Sequence, residues 1–204
     1  MASLVGLTIG AFMDQLGAKT PAPGGGAAAC MTGATAAALA HMVVEYSLGK
    51  KNLAEHQAEL AHASATLARA RKVMLQLADE DAAAYALVNE LRKLPETDAR
   101  RIAEFPDAAG AAIAAPRATL ALCIDLLRLI ESLCGRTNRH LRSDLAIAAV
   151  LGEAAARSAW WNVSVNLSMV ADEAERGRLA AEGNRACVTA AAIREMVERE
   201  CAAE

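Results

Sequence analysis

Aromatic residues make up only 3% of this 204-residue chain, with two each of Trp, Tyr and Phe. Its core must therefore be assembled from aliphatic and small side chains, and alanine-rich runs occur throughout. Small residues let helices approach closely but bury little area each, so a single copy is thinly stabilised and association with a second copy is the natural remedy. Positive charge is not in excess: 21 Lys and Arg face 24 Asp and Glu, for a net charge of −3. With no basic stripe and no interleaved aromatics, nucleic acid is not an expected partner. No apolar run is expected to reach the roughly 20 residues that cross a bilayer, because charges or His41 interrupt each one, so no membrane role is expected either. Residues 1–10 lack the basic start and cleavage pattern of a secretion signal. The five cysteines (Cys30, Cys123, Cys134, Cys187, Cys201) contain no CxxC and are odd in number, which favours buried free thiols and a cytoplasmic location. There is no G-x-S-x-G. His41 and Glu45 share a helix face but lack a third ligand at a suitable spacing, so no metal site is expected.

Strict apolar–polar alternation with β-branched residues is missing as well. Ala, Leu, Arg and Glu dominate, which predicts an all-α fold. A short helix is expected from Thr8 to Leu16, followed by a Gly-led helix ending near Gly49. Asn52 is expected to cap a long helix that runs to Leu94 and is closed by Pro95. Another helix spans about Asp107 to Cys134, bent at Pro116. Asn138 or Ser143 then caps a helix reaching Met169, and Asp172 opens the last, to about Cys201. No repeat or linker divides the chain. The expectation is one domain, residues 1–204, built as a bundle of about five long helices with short connections.

What the chain does have is Pro21-Ala22-Pro23-Gly24-Gly25-Gly26-Ala27-Ala28-Ala29. Three consecutive glycines cost backbone entropy and leave the main chain open to close approach. At the head of a long apolar helix, unpaired N–H groups and the helix dipole favour an anionic or electron-rich partner. A tight helix-to-helix contact would use the same small residues, and both readings stand.

Four further groups could carry chemistry. Lys50 and Lys51 follow the Gly-led helix and could hold carboxylates, although cations at a helix end also serve the dipole. In Asp79-Glu80-Asp81, the immediate return to alanine suggests that one acid points inward, and Asp81 shares a face with Tyr85. Asp144 borders the apolar run Leu145–Leu151, either as part of a cap or as a proton-transfer carboxylate, with His140 one turn earlier. Asn162 and Asn166 lie four apart on an apolar helix, where buried amides need partners, from a ligand or from a neighbouring helix.

Taken together, Pro21–Ala29, Gly49–Lys51, Asp79–Tyr85, Leu94-Pro95, Asn138 with Ser143-Asp144, and Asn162–Asn166 resemble the cyclodeaminase/cyclohydrolase family of folate enzymes. That family includes the C-terminal cyclodeaminase domain of formiminotransferase-cyclodeaminase and stand-alone methenyltetrahydrofolate cyclohydrolases. The pieces occur in the family's order and cover essentially the whole chain. Ala27, Glu45 and Thr137 depart from the residues common in relatives. The resemblance implies the all-α fold of that cyclodeaminase domain, a homodimer, a reduced folate as substrate and no metal or other cofactor. It implies hydrolysis of 5,10-methenyltetrahydrofolate to 10-formyltetrahydrofolate. The alternatives are ring closure of 5-formiminotetrahydrofolate with release of ammonia, or a non-catalytic folate-binding or assembly protein. Asp144 is then the first candidate for the proton-transferring carboxylate, with Asp81 in reserve. Pro23, Gly24, Gly25 and Gly26 line the substrate, Lys50 and Lys51 hold its glutamate tail, and Asn162 and Asn166 read the pterin edge. One constraint follows from helix geometry: Asp144 and Asn162 on one unbroken helix share a face but stand about 27 Å apart. They can serve one reacting atom only through a helix break, a second subunit or a long ligand.

Overall fold

Thr8 begins the first helix as a side-chain cap, its hydroxyl accepting from the Ala11 N–H. The computed structural model describes residues 3–203, and the expected domain's outermost residues, 1, 2 and 204, lie outside them. The described residues contain α1 (Ile9–Leu16), α2 (Gly25–Glu45), α3 (Gln57–Arg92), α4 (Ala99–Ser132), α5 (Arg142–Asn166) and α6 (Glu173–Ala203), joined by short turns and no strand. The all-α expectation and the five long helices are met.

Three boundaries differ from the sequence reading. Asn52 caps nothing: Lys51–His56 form a 3-10 turn, and α3 starts at Gln57, whose amide oxygen accepts from the Gly49 N–H at 2.7 Å. Gly49 takes the left-handed conformation that glycine adopts without strain. α4 starts at Ala99 rather than Asp107, because Asp98 accepts from the N–H groups of Arg100 and Arg101. Pro106 therefore lies inside the helix, and Ile102, whose carbonyl loses its partner, is exposed and within reach of water. At the head of α5, Asn138 caps the short turn Arg139–Leu141, and Asp144 sits in the first turn of the helix proper.

The 21 residues of α2 carry no charged side chain before Glu45. Contrary to the sequence expectation, α2 is long and apolar enough to cross a membrane by length and composition. Residues along most of its length are instead buried within the bundle. Its alanines and glycines let α3 and α5 pack closely on either side, and α4 and α6 complete the core. α5 runs antiparallel to α2 and also packs against α4 and α6. No disulfide forms among the described residues; Cys30 and Cys123 are buried, whereas Cys134, Cys187 and Cys201 are only half-buried. Burial pushes the Cys30 thiol up to about 11 and Cys123 to about 12, so neither supplies a thiolate near neutral pH.

Gly183 on α6 meets the Trp160 ring so closely that a Cβ there would overlap it. Gly183→Ala is expected to destabilise the protein by about 1–3 kcal/mol, as overpacking does. A shift in the urea midpoint with an unchanged slope would show it.

Candidate functional site

A cleft of about 420 Å³ opens at the head of α2. Its floor is the segment Thr20–Gly26, and its walls are Asp81 and Tyr85 on α3, Ala112 on α4, and Asn162, Val165 and Asn166 on α5. The cleft brings together six residues that the sequence singled out from two distant segments: Pro23, Gly24, Gly25, Gly26, Asn162 and Asn166. With Asp81, they form one polar surface.

The three consecutive acids of α3, Asp79 to Asp81, have separate fates. Asp79 ties down the start of the described chain, accepting from Ser3 Oγ and the Leu4 N–H, each at 2.6 Å. Glu80 is exposed. Asp81 turns to the cleft and accepts a hydrogen bond from the Ala27 N–H in the first turn of α2. Gly24 has no side chain with which to cap that helix, so a carboxylate from α3 does so from across the cleft. A Cβ on Gly26 would overlap the Asp81 carboxylate, so glycine is the residue that admits it. Burial nonetheless dominates, raising the Asp81 carboxyl from the ordinary aspartate value to about 6, and the Ala27 N–H offsets only part of this. A carboxylate that changes charge close to neutrality, in a cleft, is suited to proton transfer.

The two asparagines are held by different means. Asn162 donates from Nδ2 to the Ser158 carbonyl at 2.8 Å, one turn back on its own helix, and its amide lies against Gly25. Asn166 donates to the Ala112 carbonyl at 2.9 Å. That carbonyl is available because the residue four positions on is Pro116, which has no N–H to give it. Asn166 thus fills a helix defect and leaves its own oxygen as an acceptor on the cleft wall. Asn166→Ala is expected to cost about 1–3 kcal/mol of stability by leaving Ala112 unpaired. In a Pro116→Ala background the loss should shrink, since the N–H at 116 then satisfies the carbonyl. Chemical denaturation of the four variants measures this.

Asp144, Lys50 and Lys51 are not in the cleft. α2 and α5 lie antiparallel, with Gly25 beside Asn162 at one end and Ser47 bonded to the Asn138 N–H at the other. Asp144 and the two lysines are at that second end, a full helix length of about 30 Å away. The unbroken α5 realises the separation that the sequence spacing implied. No hydrogen bond or ion pair joins His140 to Asp144 among the described residues. His41 Nε2 touches both Ser64 Oγ (3.0 Å) and Glu45 (3.3 Å), while Ser64 donates to Glu45 at 2.6 Å. This closed triangle has the acid on the same ring nitrogen as the hydroxyl, not on the opposite one that orients a catalytic histidine. No three His, Cys, Asp or Glu side chains among the described residues cluster as a metal site would require.

Sequence reasoning did not reach the contributions of Leu16, Thr20, Ala112 and Val165. Their side chains carry no chemical signature, and only the packing of α1, α4 and α5 around the head of α2 assembles them.

The sequence profile described as formiminotransferase-cyclodeaminase matches residues 8–185. The chain belongs to this family. A methenyltetrahydrofolate cyclohydrolase of Methylorubrum extorquens is 33% identical over 171 residues, 82% of each chain. The formimidoyltransferase-cyclodeaminase of Gallus gallus is 31% identical over 175 residues, which are 83% of this chain but 32% of that protein. The chain thus spans about a third of the length of this bifunctional relative. The crystal structure of a formiminotetrahydrofolate cyclodeaminase from Thermotoga maritima superposes with a TM-score of 0.89 at 27% identity, covering 98% of both chains. The helical architecture is therefore that of the cyclodeaminase fold from end to end.

Proposed function

We propose that this protein is an enzyme of one-carbon folate metabolism that hydrolyses 5,10-methenyltetrahydrofolate to 10-formyltetrahydrofolate in the cleft at the head of α2. The observation that carries this reading is the half-buried Asp81 carboxylate, raised to about 6 and framed by a glycine backbone and two amides. The methenyl substrate is a delocalised cation whose reactive carbon bridges N5 and N10. A carboxylate favours that cation electrostatically and accepts a proton as water adds to the carbon. The resulting tetrahedral carbinol-type intermediate then opens at the N5 side, leaving the formyl group on N10. Asn162 and Asn166 offer the amide donors and acceptors that a pterin edge needs. The N–H groups of Gly25 and Gly26, without partners inside α2, suit its carbonyl oxygen. The reaction so drawn uses no metal and no further cofactor. Five cysteines with no disulfide among the described residues support a cytoplasmic setting, and a homodimer is part of the reading.

The same cleft suits the cyclodeaminase reaction, in which a proton is delivered to departing ammonia as 5-formiminotetrahydrofolate closes to the methenyl cation. Hydrolysis is favoured by the relative in Methylorubrum, whose chain matches this one over 82% of both lengths. The near-ultraviolet absorbance of methenyltetrahydrofolate decides between them. Accelerated decay over the buffer rate supports the cyclohydrolase. No acceleration, with absorbance growing and ammonia released from the formimino compound, selects the cyclodeaminase. Folate binding without either reaction would leave a non-catalytic protein of this fold.

A further inference from the structure

At the end of the bundle opposite the cleft, two cysteines from distant parts of the chain share one narrow crevice of about 10 Å³. Cys134 sits in the turn that follows α4, and Cys201 lies in the last turn of α6. Arg139 and Arg142, at the head of α5, and Glu200 on α6 line the same crevice. A hydrogen bond joins the two thiols, so their sulfurs are already neighbours. Both side chains are half-buried, packed on the core from one side and reached by solvent from the other. Moving from thiol contact to a sulfur–sulfur bond of about 2 Å asks for a small shift. The last turn of a helix, whose carbonyls lack intrahelical partners, is where such a shift comes most easily.

The other three cysteines lack this combination. Cys30 and Cys123 are buried, and the Cys30 sulfur is occupied by Thr119 Oγ1 at 3.2 Å, so a dissolved oxidant does not reach them. Cys187 is half-buried beside Arg157 and Trp160, with no second cysteine in its pocket. Charge divides the labour between the remaining two. Burial is the main reason that the Cys134 thiol is pushed up to about 12, and the Cys201 sulfur, Glu200 and Glu131 act in the same direction. Cys134 therefore keeps its proton, and Cys201 is the sulfur that reacts first. Arg139 and Arg142 favour the negative charge that builds up there, and an electropositive, partly open setting is what makes a thiol reactive.

We propose that Cys134 and Cys201 are a reversible oxidation site for a small peroxide, closing to a disulfide that fastens the end of α6 to the turn between α4 and α5. The Cys201 thiolate attacks one peroxide oxygen, the O–O bond breaks, and the departing hydroxide takes up the proton that Cys201 released. This leaves a sulfenic acid on Cys201 and one water. The Cys134 sulfur then attacks the Cys201 sulfur, the S–O bond breaks, and the hydroxyl leaves with the Cys134 proton as a second water. Two thiols give up two electrons and two protons, and one peroxide is reduced to two waters. A dithiol reductant reverses the step. The bond closes a loop of about 70 residues that contains α5 and nearly all of α6. A cross-link over so long a loop removes much of the freedom of the unfolded chain, so the oxidised protein resists unfolding more than the reduced one. None of this depends on what the cleft binds.

The test treats the reduced, full-length protein with hydrogen peroxide, blocks the remaining thiols by alkylation under denaturing conditions, and maps the peptides by mass spectrometry. The expected product is a single chain lighter by two hydrogens, in which the Cys134 and Cys201 peptides are joined and the other three cysteines are alkylated. Its thermal midpoint should rise by about 5–15 °C over that of the reduced protein and return on addition of dithiothreitol. Cys134→Ser and Cys201→Ser should each abolish the cross-link and the rise, whereas Cys187→Ser should keep both. Each variant is compared with its own reduced form, so a serine that lowers stability by itself does not obscure the result. In Cys134→Ser, dimedone should trap a sulfenic acid on Cys201. Five alkylated thiols after excess peroxide, a sulfinic acid on Cys201 with Cys134 still alkylated, or a disulfide between other cysteines or between chains would each overturn the proposal. So would a Cys134–Cys201 bond that left the midpoint unmoved.

Discussion

Replacing Asp81 by Asn is expected to slow turnover of the folate substrate by about 10²–10⁴-fold, the usual contribution of a positioned proton-transfer group, while making the protein more stable at neutral pH. Asn keeps the shape and can still accept from the Ala27 N–H, so α2 remains capped. What it removes is a charge that burial disfavours. The Asp81 carboxyl is raised from 3.8 to about 6 in the folded protein, so the folded state holds its proton more tightly than the unfolded chain does. Above about pH 6 the group is ionised in both states and the cost of burying the charge is fully present. Below about pH 4 it is neutral in both and the cost is gone. Allowing for solvent around part of the carboxylate, the variant should gain about 1–2 kcal/mol at pH 7.5 and nothing near pH 3.5. Denaturant midpoints at the two pH values measure this. In the wild type, kcat/KM for hydrolysis should rise through an apparent pKa near 6 and level off, because the ionised form is the base. That limb should disappear in Asp81→Asn. A variant that lost stability and kept its activity would make Asp81 a cap and nothing more.

Gly26→Ala is expected to cost both activity and stability, although alanine is the better helix former by about 1 kcal/mol. The added methyl would overlap the carboxyl group of Asp81, so α3 and the head of α2 must separate or Asp81 must swing away. Displacing a reacting group by about 1 Å commonly costs about 10²-fold in rate, and overpacking about 1–3 kcal/mol in stability. Two controls isolate the cause. At Gly25 a methyl would meet Asn162 Oδ1 at an ordinary 3.5 Å, so Gly25→Ala should leave stability within about 1 kcal/mol of wild type. In an Asp81→Ala background the stability cost of Gly26→Ala should largely vanish, because the colliding group is gone, and denaturation of the double mutant reads the coupling. Equal losses with and without the Asp81 side chain would mean that the methyl strains something else.

Much of the site was visible in the sequence because its determinants are local. The Pro–Gly segment, the carboxylates returning abruptly to alanine, and the paired asparagines announce themselves by residue type and spacing, and the fold brings them into one cleft. Which carboxylate lines the cleft was not legible. Asp81 and Asp144 both border apolar helix, and only the packing of α3 against the head of α2 sets Asp81 within hydrogen-bonding reach of Ala27. The link between Pro116 and Asn166 is fifty residues long and depends on a carbonyl that only the helix geometry shows to be vacant. The misplaced boundaries have a similar cause. Asp98 is an effective cap, and Pro106 eight residues into α4 does not end the helix because the carbonyl it frees lies near water. The apolar run of α2 was undercounted because His41 was read as an interruption, whereas it sits half-buried on the helix and pairs with Ser64.

The most direct test of the central claim is a crystal structure of the protein with 5-formyltetrahydrofolate, a stable reduced folate. The account predicts the pterin between Gly24–Gly26 and the Asn162–Asn166 wall, with the one-carbon unit within about 3.5 Å of the Asp81 carboxylate or of a water bound to it. A folate seated elsewhere, for example in the apolar groove beside His62 and Leu133, with the head of α2 empty, would contradict it.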